Sequence, residues 1–127
     1  VMGWNTYRQI ITELSPNQWV YSDLTTYVIT HRQLPSTENI KFIQENPCDL
    51  VKRLKQEQGK KIWICGGAKI VQALLKEKLI DEYTISVIPT ILGAGIRLFG
   101  ETVKEIELKL LSTFTYNGIV ELIYVCR

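Results

Sequence analysis

Three short stretches of the chain carry residue types and spacings that suit anion chemistry. In the first, the apolar run Ile62–Cys65 stops at Gly66-Gly67, and an amphipathic pattern begins at once with Ala68, Lys69, Ile70, Val71, Leu74 and Leu75. Two glycines at such a junction let backbone N–H groups come close to a ligand. The first turn of the following helix adds unpaired donors and the positive end of its dipole, which favours a phosphate or diphosphate. The second stretch is Thr30-His31-Arg32, just past the strand-like Tyr27–Ile29. A hydroxyl, an imidazole and a guanidinium in sequence form a seat for a phosphate dianion. The third is Gly3-Trp4-Asn5-Thr6, after Val1-Met2. Gly3 permits close backbone approach there, and Thr6 caps a helix or holds a phosphate oxygen.

Each stretch also has a plainer reading. Gly66-Gly67 reads as a tight turn, Thr6 as an N-cap, His31-Arg32 as a solvated turn and Lys69 as the polar face of its helix. Trp4, Trp19 and Trp63 read as core or surface aromatics. The coincidence of all three stretches at strand ends favours the ligand reading, because open α/β sheets bind ligands off the carboxyl ends of their strands. A ligand with a diphosphate and a separate phosphate suits the set. After a further strand, Gly93-Ala-Gly95 reads either as a substrate-side loop, with Leu92 and Gly93 as substrate contacts, or as a turn that seats Leu98 and Phe99 in the core. Asp81 and Glu82 sit at a helix-to-strand turn, and Glu38, Glu45 and Asp49 read as surface, so no catalytic acid is assigned.

The elements that position these residues follow from periodicity. A helix is expected over 6–14, with Tyr7, Ile10, Ile11 and Leu14 on one face, ended by Ser15-Pro16-Asn17. Strands are expected over 27–30 and 40–43. Asn46-Pro47 starts a helix, Asn as N-cap and Pro at the first helical position, which runs to about Gly59. The strand 62–65, a helix 68–78 and a strand 83–88 stopped by Pro89 follow. Two longer strands, 106–115 and 119–125, are joined through Asn117-Gly118, a hairpin signal. The order predicts an α/β fold with a largely parallel sheet, helices on both faces and an antiparallel hairpin at its edge. Val1-Met2-Gly3 opens in mid-pattern, so an N-terminal piece with the start of a strand is expected upstream.

The bounds are ordinary. The 127 residues suit a single domain with one core, 46% of them hydrophobic and 22% charged. A net charge of +2, with Lys and Arg scattered, argues against nucleic acid. No apolar run nears the ~20 residues of a membrane span. Cys48, Cys65 and Cys126 are an odd number without metal-type spacing, so no metal is expected. Cys65 and Cys126 lie in apolar, strand-like surroundings and read as buried, which fits a reducing compartment and hence the cytoplasm.

The motifs together carry a family resemblance over essentially the whole chain. Val1-Met-Gly-Trp-Asn-Thr-Tyr7 resembles the Gly-Arg-Lys-Thr segment of dihydrofolate reductases, Tyr27–Arg32 the next strand and its cofactor-phosphate turn, and Ile62–Lys69 the Gly-Gly cofactor loop. Leu79-Ile-Asp-Glu-Tyr83, Pro89-Thr-Ile-Leu-Gly-Ala-Gly95 and Leu98-Phe99 resemble the bacterial branch that includes the C-terminal reductase domain of riboflavin biosynthesis. The resemblance implies a three-layer fold, NADPH as cofactor and hydride transfer to a small heterocycle, of the ribosylamino-pyrimidine kind. It implies that Thr30, His31 and Arg32 face the 2′-phosphate, and that Gly66, Gly67, Ala68, Lys69 and Ile70 cradle the diphosphate. Gly3 and Thr6 would meet the phosphates from the other side, with Cys65 near the nicotinamide. It makes a homodimer plausible. Trp4 and Asn5 depart from the family, standing where Arg and Lys or His are commoner, and the family's first strand and loop would precede Gly3. A true dihydrofolate reductase and a nucleotide-binding protein without catalysis are the competing readings.

Overall fold

The computed structural model of the chain describes residues 1–101 and 104–127. Its elements are β1 (Met2–Gly3), α1 (Trp4–Gln9), β2 (Thr26–Ile29), β3 (Ile40–Ile43), α2 (Pro47–Gln56), α3 (Ala68–Lys76), β4 (Glu82–Val87), β5 (Leu108–Tyr116) and β6 (Ile119–Cys126). α1 continues into a wider π-helical turn over Ile10–Leu14, closed by the Ser15 N–H on the Ile10 carbonyl at 2.8 Å. No helix among the described residues is long and apolar enough to cross a membrane.

The strands form two sheets. β1, β2 and β3 are parallel, with Val28 beside Met2 and Phe42. β4, β6 and β5 are antiparallel. The expectation of one largely parallel sheet is therefore corrected, since as many described strands pair antiparallel as parallel. β4 accounts for the difference: it follows a helix, as a parallel strand would, but its paired neighbour is the returning arm of the hairpin. Asn117 (φ 48°) and Gly118 (φ 77°) make the hairpin turn, and positive φ at both central residues matches the right-handed twist of the strands.

Ile62–Cys65 is not a regular strand, but it runs beside β1. The Val1 amine donates to the Trp63 carbonyl (2.8 Å), the Cys65 N–H to the Val1 carbonyl (2.9 Å) and the Gly3 N–H to the Gly66 carbonyl (2.8 Å). It thus extends the parallel sheet on the β1 side.

Two apolar clusters hold this sheet. Cys48, Val51, Ile70 and Leu74 from α2 and α3 pack with Ile29 and Ile64. Met2, Ile10 and Val28 pack with Trp4, Tyr7, Trp19, Phe42 and Cys65. Neighbouring strand residues such as Val28 and Ile29 serve different clusters because side chains alternate along a strand. Asn46 caps α2 through its side-chain oxygen on the Cys48 N–H (2.8 Å). Cys48 is the fully buried cysteine, its thiol on the Ala73 carbonyl at 3.4 Å, and burial raises its pKa. The expectation for Cys65 and Cys126 is corrected: Cys65 is half-buried, and Cys126, at the end of β6, is exposed.

Candidate functional site

Parallel pairing puts the carboxyl ends of β1, β2 and the Trp63–Gly66 segment on one rim. α1 and α3 both start there, one residue past Gly3 and Gly67 respectively. A Cβ on Gly67 would lie 3.6 Å from Thr6 Oγ1, and one on Gly3 would lie 3.8 Å from the Gly67 nitrogen and 3.5 Å from Ile70 Cγ1. The two helix starts are therefore in contact, and a Cβ at either glycine would meet its neighbours only at ordinary van der Waals distances. Neither N-terminus has a side-chain cap, in contrast to α2. In α3 the Ile70 N–H already donates to the Gly67 carbonyl at 3.1 Å, so the first-turn donors that α3 offers an anion are those of Ala68 and Lys69, with the positive end of the helix dipole behind them. Thr6 is not the N-cap that its type suggested: the helix begins two residues earlier, and Thr6 faces Gly67 from inside the first turn.

The β2 end contributes the turn Thr30-His31-Arg32. Thr30 is buried, and its hydroxyl accepts the Arg32 N–H at 3.1 Å, so it shapes the turn. Gln44 donates to the Arg32 carbonyl at 2.8 Å. The Arg32 guanidinium carbon lies 4.7 Å from the centre of the Trp4 ring, at the start of α1. The cationic turn and the glycine pair therefore share one rim, linked through Trp4-Asn5-Thr6.

The remaining expected residues divide. His31, Arg32 and Lys69 are exposed, and Ala68 is half-buried. Ile70 is a core residue whose side chain packs under Gly3 and whose N–H is on the Gly67 carbonyl at 3.1 Å, so it supports the rim from beneath and offers it no free donor. Leu92 and Gly93 stand in solvent after β4: Leu92 is 77% exposed, and nothing lies within 4 Å of a Cβ placed on Gly93. Asp81 and Glu82 are engaged by Lys55 (2.8 Å) and Lys61 (3.1 Å).

Sequence reasoning missed an aromatic ladder beside the rim. Trp4 meets Tyr7, Tyr7 meets Trp19, Trp19 meets Tyr21 and Tyr21 meets Trp63, with ring centres 5.2–5.6 Å apart. Burial, then the adjacent Cys65, pushes the Tyr21 hydroxyl above its usual pKa. The i, i+3 spacing of Trp4 and Tyr7 on a helix was the available signal.

Residues 6–120 match the RibD C-terminal domain family. The chain belongs to that family. The uncharacterized Bacillus subtilis protein YwjB is 41% identical over 128 residues, which cover 98% of this chain and 71% of YwjB. Among solved structures, a Shewanella sp. PV-4 protein assigned to riboflavin biosynthesis superposes with a TM-score of 0.80 at 24% identity, covering 99% of this chain and 72% of its own. Schistosoma mansoni dihydrofolate reductase gives 0.63 at 16% identity, covering 99% and 73%. At these identities the structures show the fold: the RibD C-terminal domain shares the architecture of dihydrofolate reductases.

Proposed function

We propose that this RibD-type domain is an NADPH-dependent reductase of a small heterocyclic substrate, of the ribosylamino-pyrimidine kind. The observation that carries the reading is the contact between two uncapped helix starts, through Gly67 and Thr6, on the same rim as Arg32. A cradle of backbone donors beside a separate guanidinium fits a diphosphate with an additional phosphate. In this reading Gly3, Thr6 and Gly66–Lys69 hold the diphosphate, with Ile70 packed beneath them, and the 30–32 turn reads the 2′-phosphate. Cys65 and the Tyr21–Trp63 end of the ladder line the nicotinamide side. Bound NADPH would supply the hydride. The chain's own part is to fix the cofactor by its phosphates and to keep water from the reacting face through the aromatic ladder. Leu92 and Gly93 are proposed as substrate contacts, which requires the 88–99 stretch to fold inward on binding. The family's three-layer arrangement, a homodimeric state and a cytoplasmic location belong to the same proposal.

The test is a fluorescence titration with NADPH and NADH, followed by NADPH oxidation with the ribosylamino-pyrimidine of riboflavin synthesis and, separately, with dihydrofolate. Tighter binding of NADPH and turnover of the pyrimidine are expected. Turnover of dihydrofolate alone would make the protein a dihydrofolate reductase. Equal affinity for both cofactors would remove Arg32 from its assigned role.

A further inference from the structure

Arg32 opens a connection, residues 32–39, that leaves the end of β2 and returns along the outer edge of β3. Side chains fasten it there: the Ser36 hydroxyl accepts the Phe42 N–H at 3.0 Å, and the Thr37 hydroxyl accepts the Ile40 N–H at 3.1 Å. At the rim the bond runs the other way, since the Gln44 side-chain amide donates to the Arg32 carbonyl at 2.8 Å. Gln44 has a fixed base for this bond. The Ile43 carbonyl before it accepts the Thr30 N–H at 3.0 Å, and the Glu45 carboxylate after it is held by Arg53 at 2.6 Å. Arg32 is thus held at three points: its N–H on the Thr30 hydroxyl (3.1 Å), its carbonyl on Gln44 and its guanidinium over Trp4. The Thr30 bond is internal to the turn, and the Trp4 contact holds the tip of a long side chain. Gln44 ties the main chain of Arg32 to the sheet.

We infer that Gln44 is a positioning residue for cofactor choice: its amide holds the Arg32 main chain in the orientation from which the guanidinium reads a 2′-phosphate. The inference rests on the reading of Arg32 as the 2′-phosphate contact, and it assigns a part in that contact to a residue that does not itself touch the cofactor. A guanidinium is a planar fork, and its grip on a phosphate depends on orientation as well as distance. A flexible stem separates that fork from its own Cα, so a small turn of the main chain is amplified at the charge. The Trp4 ring steadies the fork only while the Cα stays in place. Stability gives the Gln44 bond no comparable task. Gln44 is exposed, and the entropy of fixing such a side chain offsets much of what one bond to a carbonyl contributes. The 2′-phosphate is the group that NADPH has and NADH lacks. A residue that acts through Arg32 therefore changes the affinity for NADPH and leaves that for NADH alone.

The experiment is a fluorescence titration of NADPH and NADH against four proteins: the parent, Gln44→Met, Arg32→Ala and the double variant. Methionine keeps the length of the side chain and cannot donate. Gln44→Met is expected to lower the preference for NADPH about three- to fivefold, the loss of one hydrogen bond. The dissociation constant for NADH and the melting temperature are expected to stay at the parent's values. In the Arg32→Ala background the same change is expected to alter nothing further, because the group that Gln44 positions is gone. A parent that prefers NADPH beside a Gln44→Met that keeps the preference overturns the role of Gln44 and leaves the cofactor reading standing. Equal weakening of both cofactors overturns it too, since that is a general loosening of the rim. A further loss of preference in the double variant shows Gln44 acting on the phosphate without Arg32, and likewise overturns it. A parent with equal affinity for the two cofactors defeats the reading of Arg32, and the role of Gln44 falls with it.

Discussion

The Arg32 guanidinium stacks over the Trp4 ring, 4.7 Å from its centre, and so ties the end of β2 to the start of α1. Trp4 stands where the resemblance led one to expect a basic residue, and the structure shows a cation held there from another element. Arg32→Ala should lower the preference for NADPH over NADH about tenfold, the loss of one charge-assisted contact at an exposed site. Trp4→Ala keeps the charge and loses its platform. It should lower the same preference about two- to fivefold, the range of a cation–π contact, with Trp4→Phe restoring most of it. The ratio of dissociation constants for NADH and NADPH is the measurement; an unchanged ratio in Trp4→Ala would show that the ring does not position the cation.

Gly66 and Gly67 should respond differently to the same change. Gly67 has φ −84°, which any residue adopts, and an added Cβ meets Thr6 Oγ1 at an ordinary 3.6 Å. Gly67→Ala should therefore melt within a few degrees of the parent while a methyl group enters the cradle and weakens NADPH binding at least tenfold. Gly66 has φ +116°, where side chains are strained. Gly66→Ala should lower stability by about 1–3 kcal/mol. Thermal melts beside cofactor titrations separate the two effects. Loss of stability in Gly67→Ala equal to that in Gly66→Ala would mean that the pair is only a turn.

Local features were legible wherever one residue type dictates one geometry. Asn46-Pro47 started α2, and Asn117-Gly118 made the hairpin turn. The glycine pair and the 30–32 turn were placed on one rim because parallel strands share an end. What sequence could not supply was pairing at a distance. β4 has the same alternation whether its neighbour is parallel or antiparallel, and period alone does not choose. The 62–65 run is apolar enough for a strand, yet among the described residues its backbone bonds run only to Val1 and β1 and it is not a regular strand. Thr6 looked like a cap by type, but Gly3 and Trp4 adopt the helix entry first, since a glycine serves there without a side-chain bond. The burial of Cys48 followed from the packing of α2 on α3, which local composition does not encode.

Gln72 fastens the stretch after β4 to α3, and Gly100 makes room for it. The Gln72 amide donates to the carbonyls of Arg97 (3.1 Å) and Leu98 (3.4 Å). Gly100 has φ +64°, and a Cβ there would lie 2.8 Å from Gln72 Cδ. Gly100→Ala should cost about 2 kcal/mol, from backbone strain and displacement of the amide. In a Gln72→Ala background the same change should cost about half as much, because the obstructed side chain is gone. Urea unfolding of the four proteins in the cycle gives the coupling; strictly additive costs would show that Gly100 acts through its backbone alone.

Tyr83 should set the alkaline limit of stability. It is buried in β4, its ring against Phe99, and burial with the neighbouring Cys126 thiol raises its pKa to about 12 from an ordinary 10. The folded state thus holds the phenolic proton more tightly than the unfolded state. Its contribution is fully present below pH 10 and is lost as pH climbs from 10 through about 12, on the order of 2 kcal/mol in all. The urea midpoint should fall across that window. Tyr83→Phe has no proton to lose and should flatten the fall. It should not abolish it, because the Tyr21 hydroxyl is also raised by burial and by Cys65. An equally steep decline in Tyr83→Phe would place the alkaline sensitivity elsewhere.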